Sequence, residues 1–102
     1  MQLKIRETGG ALVLSMIGKL DGSSVWQIKQ ALEDLSKTSK THRLQVDFRG
    51  VRQWERFGVA ILAKNLKGLA IHFREISLTG LSEALETVFR SAGLGANILA
   101  VG

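Results

Sequence analysis

Apolar and polar positions alternate from the start of the chain. Leu3 and Ile5 are separated by Gln2, Lys4 and Arg6, the period-two pattern of a half-buried strand. Gly9-Gly10 can take the positive φ angles of a tight hairpin. Ala11 to Ile17 is then apolar on both faces except at Ser15, as in a central strand. Gly18-Lys19-Leu20-Asp21-Gly22-Ser23-Ser24 reads as a strand end followed by helix-capping residues. Val25, Ile28, Leu32 and Leu35 fall on one helical face, with Gln27, Lys29, Gln30, Glu33 and Asp34 on the other. Ser36 to Thr41 is a polar loop or a frayed helix end.

The period returns to two at Leu44, Val46 and Phe48, interleaved with Arg43, Gln45 and Asp47. Val59, Leu62, Leu66, Leu69 and Phe73 then recur at helical steps and carry a second helix through Gly68, at about 1 kcal/mol relative to alanine. Ile76 and Leu78 mark a strand. Ser82 caps a short helix bearing Leu85, Val88 and Phe89, which Gly93 ends, and Asn97 to Val101 is a possible last strand. The order β-β-α-β-α-β-α-(β) predicts an α/β domain. Strands separated by helices pair in parallel, and the opening hairpin adds an antiparallel pair, so a mixed sheet of four or five strands with about three helices follows.

The length of 102 residues suits one domain spanning 1–102, and 45% apolar residues allow an ordinary core. There is no cysteine, so no disulfide or thiolate metal site supports it, which is compatible with the cytoplasm. The amino-terminal alternation does not read as a secretory signal. The longest apolar stretch, Phe57 to Phe73, is broken by Lys64, Asn65, Lys67 and His72, so no membrane span is expected. The net charge of +5 is spread along the chain and no aromatic residues interleave with a basic stripe, which argues against nucleic acid as the partner.

Three short motifs, in order, resemble the STAS family of sulfate transporters and anti-sigma factor antagonists. They are Gly18-Lys19-Leu20-Asp21, Val46-Asp47-Phe48-Arg49-Gly50-Val51, and Leu78-Thr79-Gly80-Leu81 followed by the Ser82–Ala92 helix and Gly93-Leu94. The resemblance runs from about Leu3 to Leu94. It implies that the functional centre is the turn from the third strand into the second helix. Antagonists switched by phosphorylation carry Asp-Ser-Ser-Gly or Asp-Thr-Ser-Gly there, whereas this chain has Glu55-Arg56-Phe57-Gly58. Phe57 is expected at the acceptor position, and a phenyl ring cannot take phosphate. A phosphoserine adds about −1.5 to −2 charge. Here Arg56 instead places positive charge at a positive helix end, at a cost of about 0.3–1 kcal/mol unless Glu55 or an external anion compensates.

The resemblance implies a cytoplasmic bacterial regulatory module that binds a protein partner and is not an enzyme. The expected docking residues are Asp21, Ser23, Ser24, Arg52, Trp54, Glu55, Arg56, Phe57 and Gly58, with the exposed face of the second helix. The partner implied is an anti-sigma factor or switch kinase. The alternative is an accessory subunit contacting the ATPase of a bacterial lipid-transport ABC system, or a stressosome-like assembly, with homodimerisation a further option.

Each candidate has an ordinary structural reading. Arg49, Arg52 and Arg56 form a local basic cluster or a solvated loop. Phe57 is an exposed anchor or the bottom of the core, burial is preferred for Trp54, and Trp26 should be half-buried beside the Val25–Ile28 stripe. Helix capping is preferred for Ser23 and Ser24 over a phosphoacceptor role. Asp47 should order the strand-helix turn. His42 and His72, thirty residues apart without cysteine, do not read as metal ligands, and no cofactor motif or phosphate loop is present.

Overall fold

A computed structural model describes residues 1–38, 40–94 and 97–101. The chain forms β1 (Gln2–Thr8), β2 (Ala11–Leu20), α1 (Gly22–Thr38), β3 (Arg43–Trp54), α2 (Arg56–Leu69), β4 (Glu75–Thr79), α3 (Glu83–Ala92) and β5 (Ile98–Val101). The five strands make one sheet in the order β1-β2-β3-β4-β5, antiparallel between β1 and β2 and parallel thereafter. This is the mixed sheet with three helices expected from the pattern. Gly9 and Gly10 turn the hairpin with φ of 59° and 77°, a pair of positive angles that suits the twist of the flanking strands.

Register decides which face is covered. Leu12, Leu44, Ile76 and Ile98 lie side by side across β2 to β5, as do Leu14, Val46 and Leu78. These residues join one core with Val25, Ile28 and Leu32 of α1, Val59, Leu62 and Leu66 of α2, and Leu85, Val88 and Phe89 of α3. All three helices therefore pack on one face. Phe48 and Phe89 meet edge to face, ring centres 5.2 Å apart, a contact contributing about 0.5–1.5 kcal/mol beyond burial.

Three elements differ from the sequence reading. α1 runs on to Thr38, so Ser36 to Thr38 belong to the helix, and Ser39 of that segment lies outside the described residues. α2 stops at Leu69, not Phe73; Phe73 is buried from the turn that follows. The helix is capped at Ala70, whose N–H donates to the Lys67 carbonyl, and the turn that follows is held by the Asn97 side-chain amide, which donates to the carbonyls of Ala70 (2.9 Å) and Phe73 (3.2 Å). β3 extends to Trp54, twelve residues in all, with register shifts against β2 between Ser15 and Ile17 and between Gly18 and Lys19. α3 follows the expected signals, with Ser82 accepting from the Leu85 N–H at 3.2 Å and Gly93 at its end with φ of 76°.

Candidate functional site

β2 and β3 run parallel and end level, with Leu20 opposite Trp54. The two strands therefore leave the sheet side by side and lead into α1 and α2 as neighbours. The Glu55 N–H donates to the Leu20 carbonyl at 2.9 Å, tying one exit to the other. Gly58 then backs onto the α1 entrance: a Cβ there would stand 2.8 Å from the Asp21 Cα and 2.9 Å from its carbonyl carbon. The Phe57 ring lies over Gly22, where a Cβ would meet ring carbons at 3.2 and 3.3 Å. The Asp21–Ser24 and Trp54–Gly58 segments thus form one continuous surface.

The α1 entrance is closed by its own side chains. Asp21 Oδ1 accepts from the N–H groups of Ser23 (3.1 Å) and Ser24 (2.9 Å), while Ser24 Oγ accepts from the Asp21 N–H at 2.9 Å. This is a reciprocal capping box with serine in the place usually held by Glu or Gln. Capping is confirmed for this loop, but the cap is Asp21, and Ser24 is the buried third helical residue supporting it. Ser23 contributes its N–H and leaves its side chain in solvent. The Ser24 N–H, then the Ser24 hydroxyl, the Ser23 N–H and the Lys19 charge, hold the Asp21 carboxyl below its ordinary value, against a partial desolvation effect.

The α2 entrance is left open. Glu55 occupies the cap position with φ −118° and ψ 143°, yet its side chain makes no cap hydrogen bond, and no acid stands in the first turn. Arg56 adds positive charge there, next to the Glu55 cap residue. Among the described residues neither Arg56 nor Arg52 is in an ion pair.

The expected cluster of three arginines loses one member. Arg49 is bound to Asp47, its Nε at 3.1 and 3.2 Å and its Nη2 at 2.9 Å, and its backbone N–H also donates to Asp47 at 3.0 Å. Hydrogen bonds from the Arg49 side chain hold the Asp47 carboxyl below its ordinary value, outweighing burial. Asp47 therefore fixes the bulge within β3 and not the strand-helix turn, which lies at Glu55. Arg52 is exposed on the last part of β3, so of the expected docking residues Arg52 and Trp54 lie on the strand, Glu55 makes the turn, and Arg56, Phe57 and Gly58 open α2.

Trp54 is half-buried and packs against the core, between the two readings considered for it. Phe57 is 68% exposed and Trp26 is 62% exposed. Exposure of Trp26 corrects the expectation that it is half-buried. One helical step of 100° past Val25 carries it off the buried stripe, and Lys29 lies over its ring at 5.1 Å. The apolar run of α2 is occupied within the fold: Val59, Leu62, Ala63, Leu66 and Leu69 are buried, leaving Phe57, Ala60 and half-buried Ile61 outward. Among the described residues no helix is long and apolar enough to cross a membrane, and no three His, Asp or Glu side chains converge as for a metal ion.

A mixed sheet helix-covered on one face, with paired helix entrances at the ends of its second and third strands, is the architecture of a STAS domain. The chain belongs to that family: residues 3–100 match the family model described as Mlab, STAS domain. Solved structures agree on the fold. A Ser-to-Glu variant of Moorella thermoacetica RsbS superposes with a TM-score of 0.76 at 20% identity, covering 99% of this chain and 86% of that one. The phosphorylated form of the Bacillus cell fate determinant SpoIIAA gives 0.69 at 19% identity, covering 99% and 92%. A chain from the stressosome, described as a signal integration and transduction hub, gives 0.69 at 18% identity, covering 97% and 88%. No curated protein matched the chain at a significant level.

Proposed function

We propose that this chain is a non-enzymatic regulatory STAS module that binds a protein partner through the surface joining Asp21–Ser24 to Trp54–Gly58. The observation that carries the reading is Phe57, 68% exposed at the open α2 entrance and braced over Gly22. A large apolar ring held outward beside Arg56 has the composition of an interface anchor. By the motif resemblance Phe57 takes the place of the acceptor in phosphorylatable relatives, and on this reading docking is not gated by phosphate at that position. Ser24 is buried inside the capping box, which makes it a poor substitute acceptor. Among anti-sigma factor antagonists this module would act as a constitutive form, holding an anti-sigma factor or switch kinase. The second reading, an accessory subunit on an ABC ATPase, is supported by the family match falling on the Mlab STAS domain.

Affinity capture of the tagged full chain from its own cells, with the partner identified and then titrated, tests the proposal. Arg56→Glu should weaken binding at least ~10-fold at low salt and less at high salt. Unchanged affinity at low salt overturns the docking surface. Stoichiometric phosphate on Ser23 or Ser24 by intact-mass analysis overturns the unswitched state. A kinase-like anti-sigma partner supports the first reading and an ABC ATPase the second.

A further inference from the structure

The α2-entrance patch is small beside the about 20–30 residues a side of a stable interface. What adjoins it is a groove between α1 and α2. Its apolar end is a hollow of about 110 Å³ lined by Val25, Trp26 and Ile61, together with Lys29 and Asn65. The same Lys29 and Asn65 border a wider hollow of about 370 Å³, where Lys37, Lys64 and His72 face a lone carboxylate, Glu33. Glu33 is already 3.9 Å from Lys29. The groove thus runs from an aromatic end beside Phe57 to an end with an excess of lysine. From Trp26 to Lys37 it spans about 16 Å, or three helical turns. On its floor the Asn65 side-chain nitrogen is, among the described residues, the one buried side-chain nitrogen or oxygen without a hydrogen-bond partner.

We propose that this groove receives an acidic amphipathic helix of the partner protein. An apolar residue of that helix fills the Trp26–Ile61 hollow, and carboxylates on its later turns pair with Lys29, Lys64 and Lys37. An oxygen acceptor from the same helix, with rotation of the Asn65 amide, satisfies the orphan donor. The inference rests on the docking reading above and adds the chemistry of the occupant. Nucleic acid fits the groove less well, because Glu33 interrupts the lysines and the outward face of Trp26 is engaged by Lys29.

The test is an NMR titration of the isotope-labelled full chain with a helical peptide of about fourteen residues, carrying leucine at one end and glutamate along the same face. A peptide with every glutamate replaced by lysine is the control. The expected result is saturable shifts at the Trp26 indole and along Lys29–Lys37 and Ile61–Gly68, absent with the control and weakened at least ~5-fold by Lys29→Glu with Lys64→Glu. Lys64 is exposed and Lys29 is half-buried at the helix surface, and circular dichroism and thermal melting verify that the double variant stays folded. No saturable shift up to ~1 mM, shifts confined to the uncovered sheet face, or equal binding of the control overturns the proposal. Capture of the native partner separates this failure from that of the docking reading. If Arg56→Glu abolishes capture and the lysine pair leaves it intact, the groove proposal falls alone. If neither matters, both fall.

Discussion

Two glycines of α2 give opposite predictions from one helix. At Gly58 an added Cβ stands 2.8 Å from the Asp21 Cα and close to the Asp21 backbone nitrogen and carbonyl carbon; at Gly68 nothing lies within 4 Å. Ordinary contact begins at 3.4 Å. Gly58→Ala therefore requires two backbone segments to separate by about 0.6 Å, with no side chain free to rotate away. Overpacking of this kind costs about 1–3 kcal/mol. Both substitutions gain about 1 kcal/mol of helix propensity, so that gain cancels in their comparison. The difference in stability between Gly68→Ala and Gly58→Ala is then about 1–3 kcal/mol in favour of the former. At about 4–8 °C per kcal/mol for a domain near this size, their melting temperatures should differ by roughly 10 °C. Calorimetry and urea unfolding measure both. Equal stability of the two variants, or a more stable Gly58→Ala, would refute the close approach of the two helix entrances on which the docking surface is built.

Asp47 makes acid stability diagnostic. Its folded-state carboxyl lies below the ordinary 3.8, so the unfolded chain takes up its proton first as pH falls. The contribution is complete above about pH 5 and is lost as pH drops below 3.8 towards the depressed value; urea midpoints for Asp47→Asn should show a shallower loss over that range than the parent. Ser24→Ala removes the acceptor for the Asp21 N–H, at a cost of about 0.5–1.5 kcal/mol and a melting temperature several degrees lower, whereas Ser23→Ala should leave it within a degree or two.

Much of this architecture is legible in the sequence because it rests on local pattern. The Gly9-Gly10 hairpin, the alternation of Leu44, Val46 and Phe48, and the Val25–Leu32 stripe all appear where their periods place them. What escapes the pattern is non-local or irregular. β3 looks shorter than it is because the bulge after Asp47 breaks the alternation, so Arg52 and Gln53 read as loop. Helical spacing continues to Phe73 although the helix ends at Leu69, and the turn that carries Phe73 into the core is held by Asn97, far along the chain. The Asp47–Arg49 pair did have a signal: opposite charges two apart on a strand share a face. At the site, the juxtaposition of the two entrances follows from parallel pairing of β2 and β3. Exposure of Phe57 and Trp26 does not, since an aromatic residue beside an apolar stripe reads equally well as core.

On the proposed reading Phe57 serves docking and not folding. Phe57→Ala in the full chain, measured for both thermal stability and affinity for the captured partner, separates the two roles. Because the ring is 68% exposed, the melting temperature should move by no more than a few degrees, while affinity falls about 30-fold, the ~2 kcal/mol of an interface hot spot. A large drop in melting temperature with affinity unchanged for the folded fraction would make Phe57 a folding residue and not an anchor.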